Sequence, residues 1–167
     1  KERVYRQHNH IYFRCNVTMD RVSRLCNLID DYNREQDLYR AVETSIIPIQ
    51  KPIYLHITSF GGDMLAGFMA YDYIRNSKTP IYTIAEGYTV SSGANMFMAG
   101  KKRLMTQHAY LLVHQLNQTH FGTDTFHAMM DEAINSLEFM TSLYAIYLNG
   151  VRHDRNVIPA EDILTKE

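Results

Sequence analysis

Two short segments hold the residues best suited to chemistry: Ser59-Phe60-Gly61-Gly62-Asp63, and further on Gly87-Tyr88-Thr89-Val90-Ser91-Ser92-Gly93-Ala94. Each reads as a strand running through a turn into a helix. In the first, the paired glycines leave backbone N–H groups open to close approach, since no side chain blocks them. The second sets a serine at a helix start, where unpaired N–H groups and the helix dipole favour developing negative charge. A serine hydroxyl facing such donors is the core of acyl-transfer chemistry, with a nucleophile and an oxyanion hole. Ser91 and Ser92 compete for the nucleophile's place, and a serine ahead of a helix can equally be a cap. Ser91 is preferred, because the N–H of Ser92 is then free to donate to an oxyanion, as the residue after a nucleophile commonly does.

Such a serine needs a base, and the chain holds eight histidines. His114 stands apart. It follows the apolar run Tyr110-Leu111-Leu112-Val113 and precedes the polar stretch Gln115-Leu116-Asn117-Gln118, so a strand would deliver its imidazole to the carboxyl edge of a sheet, where α/β sites lie. A base working near neutral pH must be oriented through its other nitrogen. Asp154, in Arg152-His153-Asp154-Arg155, is the candidate acid, although spacing alone does not separate it from an ordinary charged loop. His8-x-His10 and the histidines at 108, 114, 120 and 127 lack cysteine or carboxylate partners at metal-ligand spacing, so a metal site is not expected.

The elements that must position these groups follow from periodicity. Ile11-Tyr12-Phe13-Arg14-Cys15 reads as a strand, and Val22, Leu25, Ile29 and Tyr32 recur at helical spacing behind a Thr18 cap. Residues 33 to 51 show no clear period and read as a long connection. Ile53 to Ile57 is the next strand. Leu65, Phe68, Met69 and Tyr73 mark a helix that ends before Pro80, and Ile81 to Ala85 is a strand. Residues 91 to 99 suit a short buried helix stopped by Gly100. Short strands at 103–105 and 110–113 follow. Helices alternating with nearly continuous apolar strands imply an α/β fold around a largely parallel sheet.

From about Thr125 to Asn149 the pattern predicts a helix long for so small a domain, and therefore projecting. One apolar stripe comprises Phe126, Met130, Ala133, Ile134, Leu137, Met140, Tyr144 and Leu148, and Met129, Phe139, Leu143, Ile146 and Tyr147 widen it. A face that broad implies two partners, one of them a second copy of the chain.

Composition narrows the class. With 167 residues, 46% hydrophobic, the chain can bury a core as one domain, and a formal net charge of -1 from 17 basic and 18 acidic side chains argues against nucleic acid or an anionic membrane as partner. Its apolar stretches fall short of the ~20 residues that span a bilayer. Cys15 and Cys26 alone do not make a disulfide framework, which predicts free thiols in the cytoplasm or an equivalent reducing compartment such as an organelle stroma or matrix.

Taken in order, these motifs resemble ClpP, the proteolytic subunit family of the ATP-dependent Clp protease, within the ClpP/crotonase fold group. The matching positions are Ser59-Phe60-Gly61-Gly62, Tyr71-Asp72, Gly87 through Ser91-Ser92-Gly93-Ala94, His114-Gln115, and Asp154-Arg155 ahead of Pro159-Ala160-Glu161. The resemblance implies repeated β-β-α units with a largely parallel sheet and a projecting handle helix. It divides residues 1–167 into a head, about 11–116 and 150–167, and a handle, about 117–149. It implies a serine endopeptidase acting on unfolded polypeptide, with Ser91 as nucleophile, His114 as general base, Asp154 as its orienter, and Gly62 and Ser92 as oxyanion donors. No metal or cofactor is required. The implied partners are copies of the chain in stacked heptameric rings, forming a tetradecamer, and a Clp-type AAA+ unfoldase that uses the ATP. The chain itself carries no Gly-rich Walker pattern. Phe60, Leu116 and His153 depart from the family's usual proline, proline and arginine, and the loss of proline at 60 predicts a less rigid glycine turn. Two other readings are a crotonase-type acyl-CoA enzyme with Glu86 or Asp63 as base, and a ring subunit without catalysis.

Overall fold

Ile53, Leu55, Ile57 and Ser59 are buried along one strand, and Ile81, Thr83 and Ala85 along the next, while the residues between them are half-buried. That alternation of two gives each strand a core face and an outer face. The computed structural model describes residues 3–42, 51–114 and 126–153. The chain divides into two compact units, Lys1–His114 and Gln115–Glu167.

In the first unit the order is β1 (Arg3–Gln7), β2 (His10–Arg14), α1 (Met19–Val42), β3 (Ile53–Ser59), α2 (Met64–Arg75), β4 (Ile81–Val90), α3 (Ser92–Met98), β5 (Lys102–Met105) and β6 (Tyr110–Leu112). The sheet runs β1-β2-β3-β4-β5, with β6 also paired to β4. Among the described residues, the β1–β2 pair is antiparallel and the other pairs are parallel. β4 serves two neighbours in succession: Tyr82 to Ala85 pair with β5, and Tyr88 to Val90 with β6. The change of partner falls at Gly87, whose φ of 62° suits glycine. Beside it, the β3–β4 register shifts between Ile57 and Ser59. The shift falls just before the glycine and serine turns that follow these two strands.

Two sequence expectations change here. β1 was not anticipated; it joins β2 through His8 and Asn9, with His8 at φ 54°. The stretch read as a connection from 33 continues α1 as far as Val42. That part of the helix lacks an apolar period because charge pairs hold it: Arg6 with Glu35 and Lys78 with Asp37 tie it to neighbouring elements. On α2 the buried face is Ala66, Gly67, Ala70 and Ile74, whereas Leu65 and Met69 of the expected stripe are exposed. Small residues face inward because α3 lies so close: a Cβ on Gly67 would sit 2.9 Å from the Ser92 Cβ.

The second unit contains α4 (Phe126–His153), a helix of 28 residues. Met130, Ile134, Leu137, Tyr144 and Leu148 of its expected apolar stripe are exposed, while Leu143 and Ile146 from the widening set are buried. Burial raises the pKa of the Tyr147 phenol above its usual range. Among the described residues, no helix is long and apolar enough to cross a membrane. Cys15 and Cys26 are buried and not joined to each other.

Candidate active site

The two glycines of the first turn both take positive φ, 89° at Gly61 and 146° at Gly62, values that side chains disfavour. Three bonds fix the turn. Ser59 Oγ accepts from the Gly61 N–H at 3.1 Å, the Val17 N–H donates to the Gly61 carbonyl at 2.8 Å, and the Asp63 N–H donates to the Val17 carbonyl at 2.9 Å. Val17 and Gly62 thus form an isolated parallel bridge. Phe60, where proline was expected, stacks on Tyr88 with ring centroids 3.7 Å apart and planes within 17°. That stack restrains the turn by ring contact where proline would restrain φ. The sequence reading included Ser59 in this motif without a role for its hydroxyl and passed over Val17, since nothing local signals that Val17 bridges to a glycine 45 positions on.

The second turn holds Ser91 at φ 56° and ψ -124°, a conformation that costs a non-glycine residue on the order of 1–3 kcal/mol. Its carbonyl accepts from the N–H groups of Ala94 at 2.8 Å and Asn95 at 3.2 Å, so the residue begins α3. Its side chain makes no capping hydrogen bond. The hydroxyl is therefore not spent on the role a serine here would ordinarily play. Ser92 differs on each count: it is 4% exposed, and its Oγ donates to the Gly62 carbonyl at 3.2 Å. Among the described residues, neither the Gly62 nor the Ser92 N–H donates to a backbone carbonyl.

The two turns touch. A Cβ built on Gly61 would stand 2.6 Å from Ser91 Cβ, 2.8 Å from the Val90 carbonyl oxygen and 3.1 Å from the Ser92 nitrogen. Gly93 lies against Ser59 in the same way, with 3.1 Å to its Cβ. Glycines at 61, 67 and 93 let β3, α2 and α3 converge on the serine elbow.

His114 is exposed and follows β6. The Ser91 N–H donates to the carbonyl of Leu112 at 2.9 Å, so His114 lies two residues along the chain from the bond that anchors Ser91. Two residues reach at most about 7 Å. The parallel pairing of Val90 with Leu112 sends both strand ends out at the same edge of the sheet. Asp154, His120 and Leu116 lie outside the described residues, as does the side chain of His153.

The acids considered as alternative bases are engaged elsewhere. Asp63 caps α2, its Oδ1 accepting from the Ala66 N–H at 2.9 Å. Glu86 accepts from His56 Nδ1 at 2.6 Å and from Arg14 at 3.2 Å. No cluster of three or more His, Cys, Asp or Glu side chains able to hold a metal ion occurs among the described residues.

A strained serine between a parallel strand and a helix, packed on a double-glycine turn at the carboxyl edge of the sheet, defines an α/β protein of the serine-elbow kind. A family model described as Clp protease matches residues 32–160. A region of 71 residues is 41% identical to the ATP-dependent Clp protease proteolytic subunit 2 of Treponema pallidum, covering 41% of this chain and 36% of that one. Over 115 residues the chain is 35% identical to the ATP-dependent Clp protease proteolytic subunit of Cuscuta reflexa, covering 68% of this chain and 56% of the relative. The aligned stretches thus span less than two thirds of these relatives' length. Among solved structures, a ClpP1 mutant from Listeria monocytogenes superposes with a TM-score of 0.66 at 14% identity, covering 86% of this chain and 72% of that one, which shows a shared fold. The chain belongs to the Clp protease family.

Proposed function

We propose that the chain is the proteolytic subunit of a Clp-type serine endopeptidase, hydrolysing unfolded polypeptide through an acyl-enzyme on Ser91. The observation that carries this reading is the conformation of Ser91: a strained backbone, a hydroxyl released from capping, and a backbone N–H tied to the strand that leads into His114. His114 takes the hydroxyl proton as Ser91 Oγ attacks the scissile carbonyl, then returns it to the leaving amine; Asp154 holds the imidazole in the required tautomer. Water then cleaves the acyl-enzyme with the same base. The N–H groups of Gly62 and Ser92 bind the oxyanion, each strong donor contributing about 3–4 kcal/mol at the transition state. The reaction draws on no metal or cofactor in this chain.

Exposed apolar residues along α4, from Met130 to Leu148, support assembly with further copies. In this reading the copies form heptameric rings stacked as a tetradecamer, fed by an AAA+ unfoldase of the Clp type that supplies ATP hydrolysis, in the cytoplasm or an equivalent reducing compartment. The crotonase-type alternative loses support from the engagement of Asp63 and Glu86. Replacing Ser91 by Ala tests the proposal: cleavage of a short fluorogenic peptide is abolished while the particle mass by light scattering is unchanged. Retained cleavage rejects Ser91 as the nucleophile.

A further inference from the structure

On the outer face of the sheet, three side chains form a diagonal across three parallel strands. His10 lies on β2, His56 on β3 and Glu86 on β4. The register pairs His10 with Tyr54 and Tyr12 with His56, so each step along the diagonal advances two residues. His10 Nδ1 is 2.9 Å from His56 Nε2, and His56 Nδ1 is 2.6 Å from Glu86 Oε1. Arg14 binds the other Glu86 oxygen at 3.2 Å.

One tautomer satisfies this chain. The Glu86 carboxylate accepts from His56 Nδ1–H, which leaves a lone pair on His56 Nε2 aimed at His10. A carboxylate on the far nitrogen of an imidazole is the arrangement that orients metal-ligating histidines and raises their basicity. Here Arg14 in turn holds the carboxylate. The rings are also restrained: His56 stacks on Tyr12 at 4.5 Å and His10 on Tyr54 at 4.9 Å.

We propose that His10 and His56 form a two-imidazole site for a borderline divalent transition metal, Zn2+, Ni2+ or Cu2+, with Glu86 as the outer carboxylate. Two nitrogens at about 2.0–2.1 Å from one tetrahedral Zn2+ lie about 3.3 Å apart. The observed 2.9 Å contact is a hydrogen bond between the two nitrogens, so the ion replaces it: both rings turn until their lone pairs converge on one point, and the nitrogens separate by a few tenths of an ångström. His10 carries its proton on Nε2 in the bound form, so both facing lone pairs are available and no net proton is released. With two protein ligands the remaining positions belong to water, which makes the site exchangeable rather than structural. Hard ions such as Mg2+ and Ca2+ prefer oxygen ligands and do not compete. The sequence hid this site because its ligands lie 46 residues apart and meet only through strand pairing.

Calorimetric titration of the whole protein with Zn2+, together with anomalous scattering from crystals grown with it, tests the site independently of any peptidase activity. Because the chain has eight histidines, the comparison between variants decides. His10→Phe and His56→Phe keep the ring stacks, and each removes one binding event or weakens it at least tenfold; Glu86→Gln weakens it about tenfold or more. His8→Ala leaves it unchanged. Wild-type affinity in both phenylalanine variants overturns the proposal. Should either variant fail to fold, the unaltered protein still decides: an anomalous peak between His10 and His56 sustains the site, and peaks only at other histidines, or none, overturn it.

Discussion

Gly61→Ala probes the contact between the two turns with little change in chemistry. The added methyl group would meet Ser91 Cβ at 2.6 Å and the Val90 carbonyl oxygen at 2.8 Å, with φ at 89°. Carbon atoms settle at about 3.5 Å or more, so the elbow must retreat by roughly 0.9 Å. A displacement of that size at a nucleophile costs about 100-fold in rate. The strained backbone adds about 1–2 kcal/mol and the overpacking about 1–3 kcal/mol of destabilisation, giving roughly 2–5 kcal/mol in urea unfolding. Gly100→Ala is the control. Its methyl group would meet Thr83 Oγ1 at 2.2 Å and the Lys102 carbonyl oxygen at 2.8 Å, beyond the far end of α3 from Ser91, so it also destabilises the fold. The assay is the rate of fluorophosphonate labelling per folded molecule, with the folded fraction read by circular dichroism. Gly61→Ala slows labelling about 100-fold, whereas Gly100→Ala leaves the rate per folded molecule near that of the wild type. Equal rates in Gly61→Ala and wild type would refute the claim that this contact positions the serine.

Three further outcomes follow from individual contacts. Ser91→Gly removes labelling and, by releasing about 1–3 kcal/mol of backbone strain against about 0.5–1 kcal/mol of glycine entropy, raises the denaturation midpoint; a lowered midpoint would show that the elbow is not strained. Ser92→Ala loses the bond to the Gly62 carbonyl and about 1 kcal/mol of stability, yet labelling persists at Ser91. The Tyr73 hydroxyl donates to Asp30 at 2.6 Å, and that bond with burial raises its pKa from 10.0 to about 12. Because the folded state favours the protonated phenol, this contribution is complete below pH 10 and is lost as pH rises toward 12. Urea midpoints measured across that window fall more steeply for wild type than for Tyr73→Phe.

Apart from β1, the strands and the order of elements were legible because their apolar runs are short and bounded by glycine, proline or polar residues. Ile53 to Ile57 and Ile81 to Ala85 show this directly. The end of α1 was not, since Arg6 and Lys78 stabilise its polar segment from distant positions. The buried face of α2 was misread for a related reason: close approach to Ser92 selects Gly67 and Ala70 over the larger Leu65 and Met69. At the site, the Gly61-Gly62 and Ser91-Ser92 turns were visible as local chemistry. What separates the two serines, a buried and bonded Ser92 beside a strained and uncapped Ser91, is a backbone property that composition does not carry. The supporting bonds from Val17 and the Phe60–Tyr88 stack also arise only once the chain folds.

The central claim is that one hydroxyl in this chain is activated, and mapping a fluorophosphonate label by mass spectrometry tests it most directly. The account predicts a single labelled peptide with the adduct on Ser91, lost in His114→Ala and retained in His120→Ala. An adduct on Ser92, no adduct at all, or undiminished labelling in His114→Ala would contradict it.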